Sequence, residues 1–195
     1  MTNNLKPEKH PLEPFLPANV RVLMLGSFPP KRERWSMEFY YPNFQNDMWR
    51  IFGLVFFGDK EHFLNPQTKL FDKDLIAGFL SAKGFALYDA AESVIRHKDN
   101  ASDKFLEIVD RTDIEEMIGR LPQCTAIITT GQKSAETVAE IFGVKVPPVG
   151  GSVEIKYGIR SLLFFRAPSS SRAYPLAVTK KAEIYSRIFQ QAGIV

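Results

Sequence analysis

Three short apolar runs constrain this chain most: V-R-V-L-M-L at 20–25, F-A-L-Y at 85–88 and T-A-I-I-T-T at 125–130. Two of them run into a glycine, Gly26 and Gly131, and the other follows Gly84. Short, nearly unbroken apolar runs mark strands buried on both faces, as in a parallel sheet. Between them the spacing turns helical. Asn46 or Asp47, both good N-caps, opens a helix that runs to about residue 55. Residues 70–83 carry apolar side chains at 71, 75, 76, 79 and 80 and stop at Gly84. Residues 112–121 form another helix, with Thr112 and Glu115 as a capping box and Pro122 as the stop. A helix over 135–142, two apolar runs at 153–157 and 159–165 around Gly158, and a closing helix over 180–192 complete the chain. Strand and helix alternate, which implies parallel pairing, right-handed crossovers and helices on both sheet faces. The expected fold is a three-layer α/β/α sandwich around a mostly parallel sheet of about four to five strands.

The 195 residues suit one domain, and 45% hydrophobic with 24% charged residues is globular composition. Prolines at 7, 11, 14 and 17 make residues 1–19 an extended lead-in strapped over a core at 20–192. A single cysteine, Cys124, excludes an internal disulfide and a Cys-rich zinc site. The polar N-terminal residues and the absence of a long apolar stretch predict a cytoplasmic, monomeric protein with no membrane contact. Net charge is only +3, so a polyanionic partner requires the basic residues to cluster.

Ligands of such sheets bind beyond the carboxyl ends of the strands. Three irregular segments leave those ends, 26–46, 89–111 and 166–175. The first begins G-S-F-P-P-K-R-E-R-W and continues to Y-Y-P-N-F-Q-N-D-M-W at 40–49. Gly26 and Ser27 turn the backbone sharply and expose N–H groups to an anion or a polar base edge. Phe28, Trp35, Phe39 and Tyr40 interleave with Lys31, Arg32 and Arg34, a mixture in which rings stack a planar ligand and cations meet phosphates. The same pattern also fits a loop folded onto its own aromatics. Asn43 and Asn46 offer amides that can orient water or a base, or simply cap a helix. The last segment, F-F-R-A-P-S-S-S-R-A-Y-P, brings Pro168, Ser169, Ser170, Ser171 and Arg172, able to grip phosphates. His10, His62 and His97 lie in different segments without metal-ligand spacing, so no metal or cofactor is expected. Neither a Walker loop nor a G-x-S-x-G elbow occurs.

Taken together, these stretches resemble the uracil-DNA glycosylase superfamily, most closely its hypoxanthine-DNA glycosylase and mismatch-specific branches. L-G-S-F-P-P at 25–30 is similar to the first motif, and Tyr40-Tyr41 followed by Asn46-x-x-Trp49 to the aromatic segment. A-L-Y-D-A-A-E-S at 86–93 and I-I-T-T-G-Q-K-S-A at 127–135 match the middle strands in character and order. A-P-S-S-S at 167–171 resembles the final motif, so the likeness spans 20–188. Two departures stand out. Uracil-specific members carry Asp-Pro-Tyr-His in the first motif and open the last with His, where this chain has Phe28-Pro29-Pro30 and Ala167.

The resemblance implies a DNA glycosylase that flips a deaminated base (hypoxanthine, uracil or xanthine) and hydrolyses its N-glycosidic bond in base-excision repair. Asn46 would be catalytic. Gly26, Ser27, Phe28 and Tyr40 would bind the base, and Lys31, Arg32, Pro168, Ser169, Ser170, Ser171 and Arg172 the DNA. Lys31, Arg32, Arg34 and Arg172 should then form a basic face around one cleft. No lysine lies within 43–49 or 166–175, so water, not an amine, is the expected nucleophile. Two other classes stay open: a non-catalytic nucleic-acid or nucleotide-binding module on the same fold, and a small-molecule hydrolase acting on nucleosides.

Overall fold

A computed structural model describes residues 6–97 and 105–195. In chain order its elements are β1 (Glu8–Lys9), β2 (Val22–Gly26), α1 (Met48–Phe57), α2 (Lys73–Lys83), β3 (Phe85–Asp89), β4 (Ala91–Arg96) and β5 (Leu106–Arg111). There follow α3 (Ile114–Gly119), β6 (Ala126–Thr129), α4 (Gln132–Ile141), β7 (Ser152–Tyr157), β8 (Arg160–Arg166) and α5 (Val178–Gln191). The main sheet runs β3-β2-β6-β8-β7; its first four strands are parallel and β7 closes the edge as the antiparallel arm of a hairpin. This is the mostly parallel α/β sandwich the sequence predicts. Every residue of β2, β3 and β6 is buried, as continuous apolar strands in the middle of such a sheet must be.

α1 and α2 meet through Phe52, Phe56 and Phe79, and right-handed crossovers, the rule for parallel strands, would carry α3 and α4 to the other face. On the first face α1 packs against α5, and Phe52, Phe56, Phe85 and Phe189 meet one another with ring centroids 5.2–6.2 Å apart. Helix boundaries follow local chemistry. Asp72 caps α2 by accepting the N–H groups of Asp74 and Leu75, and Gly84 ends it in the left-handed region at φ 79°. No helix among the described residues is long and apolar enough to cross a membrane.

Two expectations need correcting. Segment 89–111 is not an irregular loop: β4 and β5 pair antiparallel, and β1 of the lead-in adds to β4, making a second, three-stranded sheet. The residues joining β4 to β5 lie outside those described. The α3 cap is Asp113, which accepts the Glu116 N–H at 2.8 Å, and not Thr112, whose hydroxyl donates to the Asp89 carbonyl at 2.6 Å.

Sheet register decides where the strand-end loops meet. Gly26 lies opposite Asp89, Leu25 opposite Thr129, and Thr129 opposite Arg166. The carboxyl ends of four adjacent strands therefore finish level, and the loops they release converge above one edge.

Candidate active site

A cavity of about 610 Å³ opens at that edge. It is walled by the turn at 26–30, the aromatic segment at 40–46, the ends of β3 and β6, and the loop at 166–174. Gly26, Ser27, Phe28, Tyr40, Asn46, Pro168, Ser169, Ser170, Ser171 and Arg172, all singled out in sequence, line this one space. Arg34 joins them, whereas Lys31 and Arg32 stand outside the lining. Arg32 pairs instead with Glu38 at 2.6 Å and covers the Trp35 ring at 4.7 Å.

Gly26 is needed for its lack of a side chain, because a Cβ there would collide with Asp89 Oδ1. Tyr41 beside it adopts a left-handed backbone, φ 49°, and its hydroxyl shares a 2.9 Å hydrogen bond with Thr130 Oγ1. Such a conformation costs a non-glycine residue of order 1–3 kcal/mol and persists where its surroundings enforce it, commonly at functional sites. Tyr40 is buried and donates its hydroxyl to the Glu13 carbonyl at 2.8 Å, so its ring, not its oxygen, is what the cavity meets. Burial, then the Asp89 charge, pushes that phenol well above its ordinary titration range.

Asn46 holds the turn into α1. Its Oδ1 accepts the Met48 N–H at 2.9 Å, while Arg50 Nη1 donates to the Phe44 and Asn46 carbonyls at 2.8 and 3.1 Å. Asp47, at the N-cap position, makes no side-chain cap. Its carboxylate turns inward to Lys181 Nζ at 2.9 Å, and Arg172 Nε lies 3.6 Å from its other oxygen. Lys181 also donates to the Ser171 carbonyl at 2.8 Å, and the Asp47 N–H to the Ser170 carbonyl at 2.9 Å. The aromatic segment and the serine loop are thus fastened to each other through a buried ammonium that α5 supplies. Within the loop the Ser169 and Ser171 hydroxyls accept backbone N–H groups two residues on, and Tyr185 donates to the Pro168 carbonyl at 2.9 Å.

At the end of β3 stands a pair that sequence reading missed. Asp89, the one carboxylate among the described residues lining the cavity, meets His10 Nε2 at 2.9 Å, and their side chains are only 9% and 1% exposed. The strand-end rule could have flagged Asp89. Nothing in sequence flags His10, whose partner lies 79 residues away. The chain lacks the Asp and His of the uracil-specific motifs, yet it carries a carboxylate in the cavity lining from another position, with an imidazole bonded to it from behind. Lys181 was equally invisible, since it sits in neither loop. Among the described residues no group of three or more His, Cys, Asp and Glu could hold a metal ion.

The fold has a solved counterpart. The chain matches the solution NMR structure of a protein from Methanosarcina acetivorans provisionally named a uracil DNA glycosylase, with TM-score 0.60, over 93% of this chain and 96% of that one. Identity is 19%, so the likeness is one of fold. No family model matches the chain, and no curated protein does.

Proposed function

We propose that this chain is a DNA glycosylase that takes a deaminated base out of the helix and hydrolyses its N-glycosidic bond with water. The carrying observation is the single cavity at the strand ends that gathers Asn46, the Gly26–Ser27 turn, Phe28 and the serine loop. Its volume admits a flipped base of either size, purine or pyrimidine. Base–sugar cleavage builds positive charge on the sugar and negative charge on the departing base. N–H groups of the 26–27 turn would meet that base, Phe28 would stack on it, and the serine loop with Arg172 would hold the flanking phosphates. Asn46 Oδ1 has two lone pairs, so it can accept from both the Met48 N–H and a water aimed at the sugar.

The test is single-turnover base release from duplexes carrying hypoxanthine, uracil or xanthine, read by alkaline cleavage. Asn46→Ala should lose about 10²–10³ in rate, the cost of one positioned hydrogen-bonding group in a transition state. It should also lose about 1 kcal/mol of stability with its cap bond, while keeping salt-sensitive binding to an abasic duplex. Normal release with only the stability loss would reduce Asn46 to a helix cap. Salt-sensitive binding by the native chain without release from any duplex would favour the non-catalytic module.

A further inference from the structure

The contacts of His10 restrict its protonation. Nε2 faces the Asp89 carboxylate at 2.9 Å and Nδ1 faces the Leu12 carbonyl at 2.8 Å. Both of these partners are acceptors, which suits the imidazolium form with hydrogen on both ring nitrogens. The Leu12 N–H also points at Nδ1, from the longer distance of 3.2 Å, the contact that a neutral ring with a bare Nδ1 would use instead. Three rings pack around the imidazole, Tyr88 at 4.6 Å, Phe28 at 5.4 Å and Tyr40 at 6.3 Å. Phe28 and Tyr40 line the cavity themselves, so His10 stands directly behind its wall.

We propose that His10 is a positioning residue of the site: as an imidazolium it aims the Asp89 carboxylate and cancels its charge beside the place where the base departs. The lead-in strand is then part of the site. This rests on the glycosylase reading. A departing base gathers negative charge, and a lone carboxylate at the cavity wall would oppose it by Coulomb repulsion in a poorly hydrated space. Paired with a cation, the same carboxylate stays available to accept an N–H from the base without that penalty. The other charged groups facing His10 agree. Burial pulls the imidazole down, but the Asp89 hydrogen bond and charge, the Leu12 carbonyl and, least, the charge of Glu92 (itself hydrogen-bonded by the Tyr88 hydroxyl at 3.0 Å) outweigh it, so it titrates above its ordinary value.

The experiment combines nitrogen-15 NMR of His10 in the full chain with single-turnover release as a function of pH. The spectrum should show both ring nitrogens protonated at neutral pH, and Asp89→Asn should move the titration down. Release by the native chain should fall as pH rises through the His10 titration, by up to about tenfold per unit. His10→Gln, which can still donate to Asp89 but carries no charge, should release more slowly and lose that limb. His10→Ala, which removes the partner as well as the charge, should release more slowly than His10→Gln. A neutral His10 at pH 7 overturns the proposal whatever the activity. Unchanged release across its titration overturns it while the glycosylase reading stands. Release absent from every duplex, with His10 protonated, overturns that reading and the charge-cancelling role with it, and leaves the aimed ion pair supported. If His10→Gln does not fold, the native pH profile against that of Asp89→Asn decides.

Discussion

Two buried ion pairs brace the segments around the cavity, and they differ in kind. Lys181–Asp47 and His10–Asp89 have the same 2.9 Å separation and nearly the same burial. Each joins segments far apart in sequence, by 134 and 79 residues. The first pairs an ammonium with a carboxylate, and its surplus hydrogen bonds go to backbone, fastening Ser170 and Ser171 to the start of α1. The second contains the one side chain whose ordinary titration lies near neutrality, and its carboxylate belongs to the cavity lining. One pair fixes where the walls stand, and the other sets the charge of a wall. Losing a pair that clamps should cost stability at every pH, whereas losing a pair that titrates should cost it only where the imidazole is charged.

Breaking the clamp gives the largest effect. Lys181→Met leaves the Asp47 carboxylate, only 8% exposed, with Arg172 at 3.6 Å as its remaining cation. Removing one partner of a buried pair costs about 3–5 kcal/mol, and a domain of this size loses about 2–4 °C per kcal/mol. A fall in Tm of roughly 10 °C is therefore expected, independent of pH between about 6 and 9. The double variant Asp47→Leu/Lys181→Met should recover much of it, because no unpaired charge is then buried. A single variant that melts like the native chain would mean that water reaches Asp47 and that the clamp is not dry.

The titrating pair should behave otherwise. Burial pulls the His10 imidazole down, but the Asp89 hydrogen bond and charge, the Leu12 carbonyl and Glu92 overcome it, so its folded value is raised. A raised value stabilises the fold fully below the unfolded imidazole value of about 6.5 and loses that contribution as pH rises through the folded one. The stability gap between native and His10→Gln protein, from urea melts, should be widest below about pH 6.5 and narrow as pH rises through the folded His10 titration. A gap constant across that range would assign the histidine a packing role without charge.

What sequence could and could not show divides along similar lines. The strands at 22–26, 85–89 and 126–129 were legible because burial on both faces leaves unbroken apolar runs. Gly84 was legible because the left-handed backbone there favours glycine, and Gly26 because the strand end leaves no room for a Cβ beside Asp89. The β4–β5 hairpin was hidden for a physical reason: irregular register at Ala91, Ser93 and Val94 breaks the period of two that marks a strand. Thr112 was misread as a cap because α3 begins only at Ile114, which leaves the cap to Asp113. For the site, loop residues that converge on the cavity could be named from motif and strand-end position. His10 and Lys181 could not, since each acts through one distant partner and leaves no local pattern.

The smallest effect belongs to a third pair, which serves as the control for both. Arg32 and Glu38 meet at 2.6 Å, but their side chains are 57% and 61% exposed, so water and salt screen them. Exposed pairs contribute about 0–1 kcal/mol, and Arg32→Ala should change stability by no more than about 0.5 kcal/mol at any pH. Its place outside the cavity lining separates it from Arg172 in a second way. If Arg32 touches DNA at all, it does so as one phosphate contact beyond the cavity. The salt dependence of binding to an abasic duplex should then flatten by about one unit of slope, while single-turnover release stays at the native rate. Arg172→Ala should flatten the slope similarly but also slow release, because Arg172 sits on Asp47 and in the cavity wall. Equal losses of release in the two variants would move Arg32 into the site, and the basic face would then extend over the turn at 31–34.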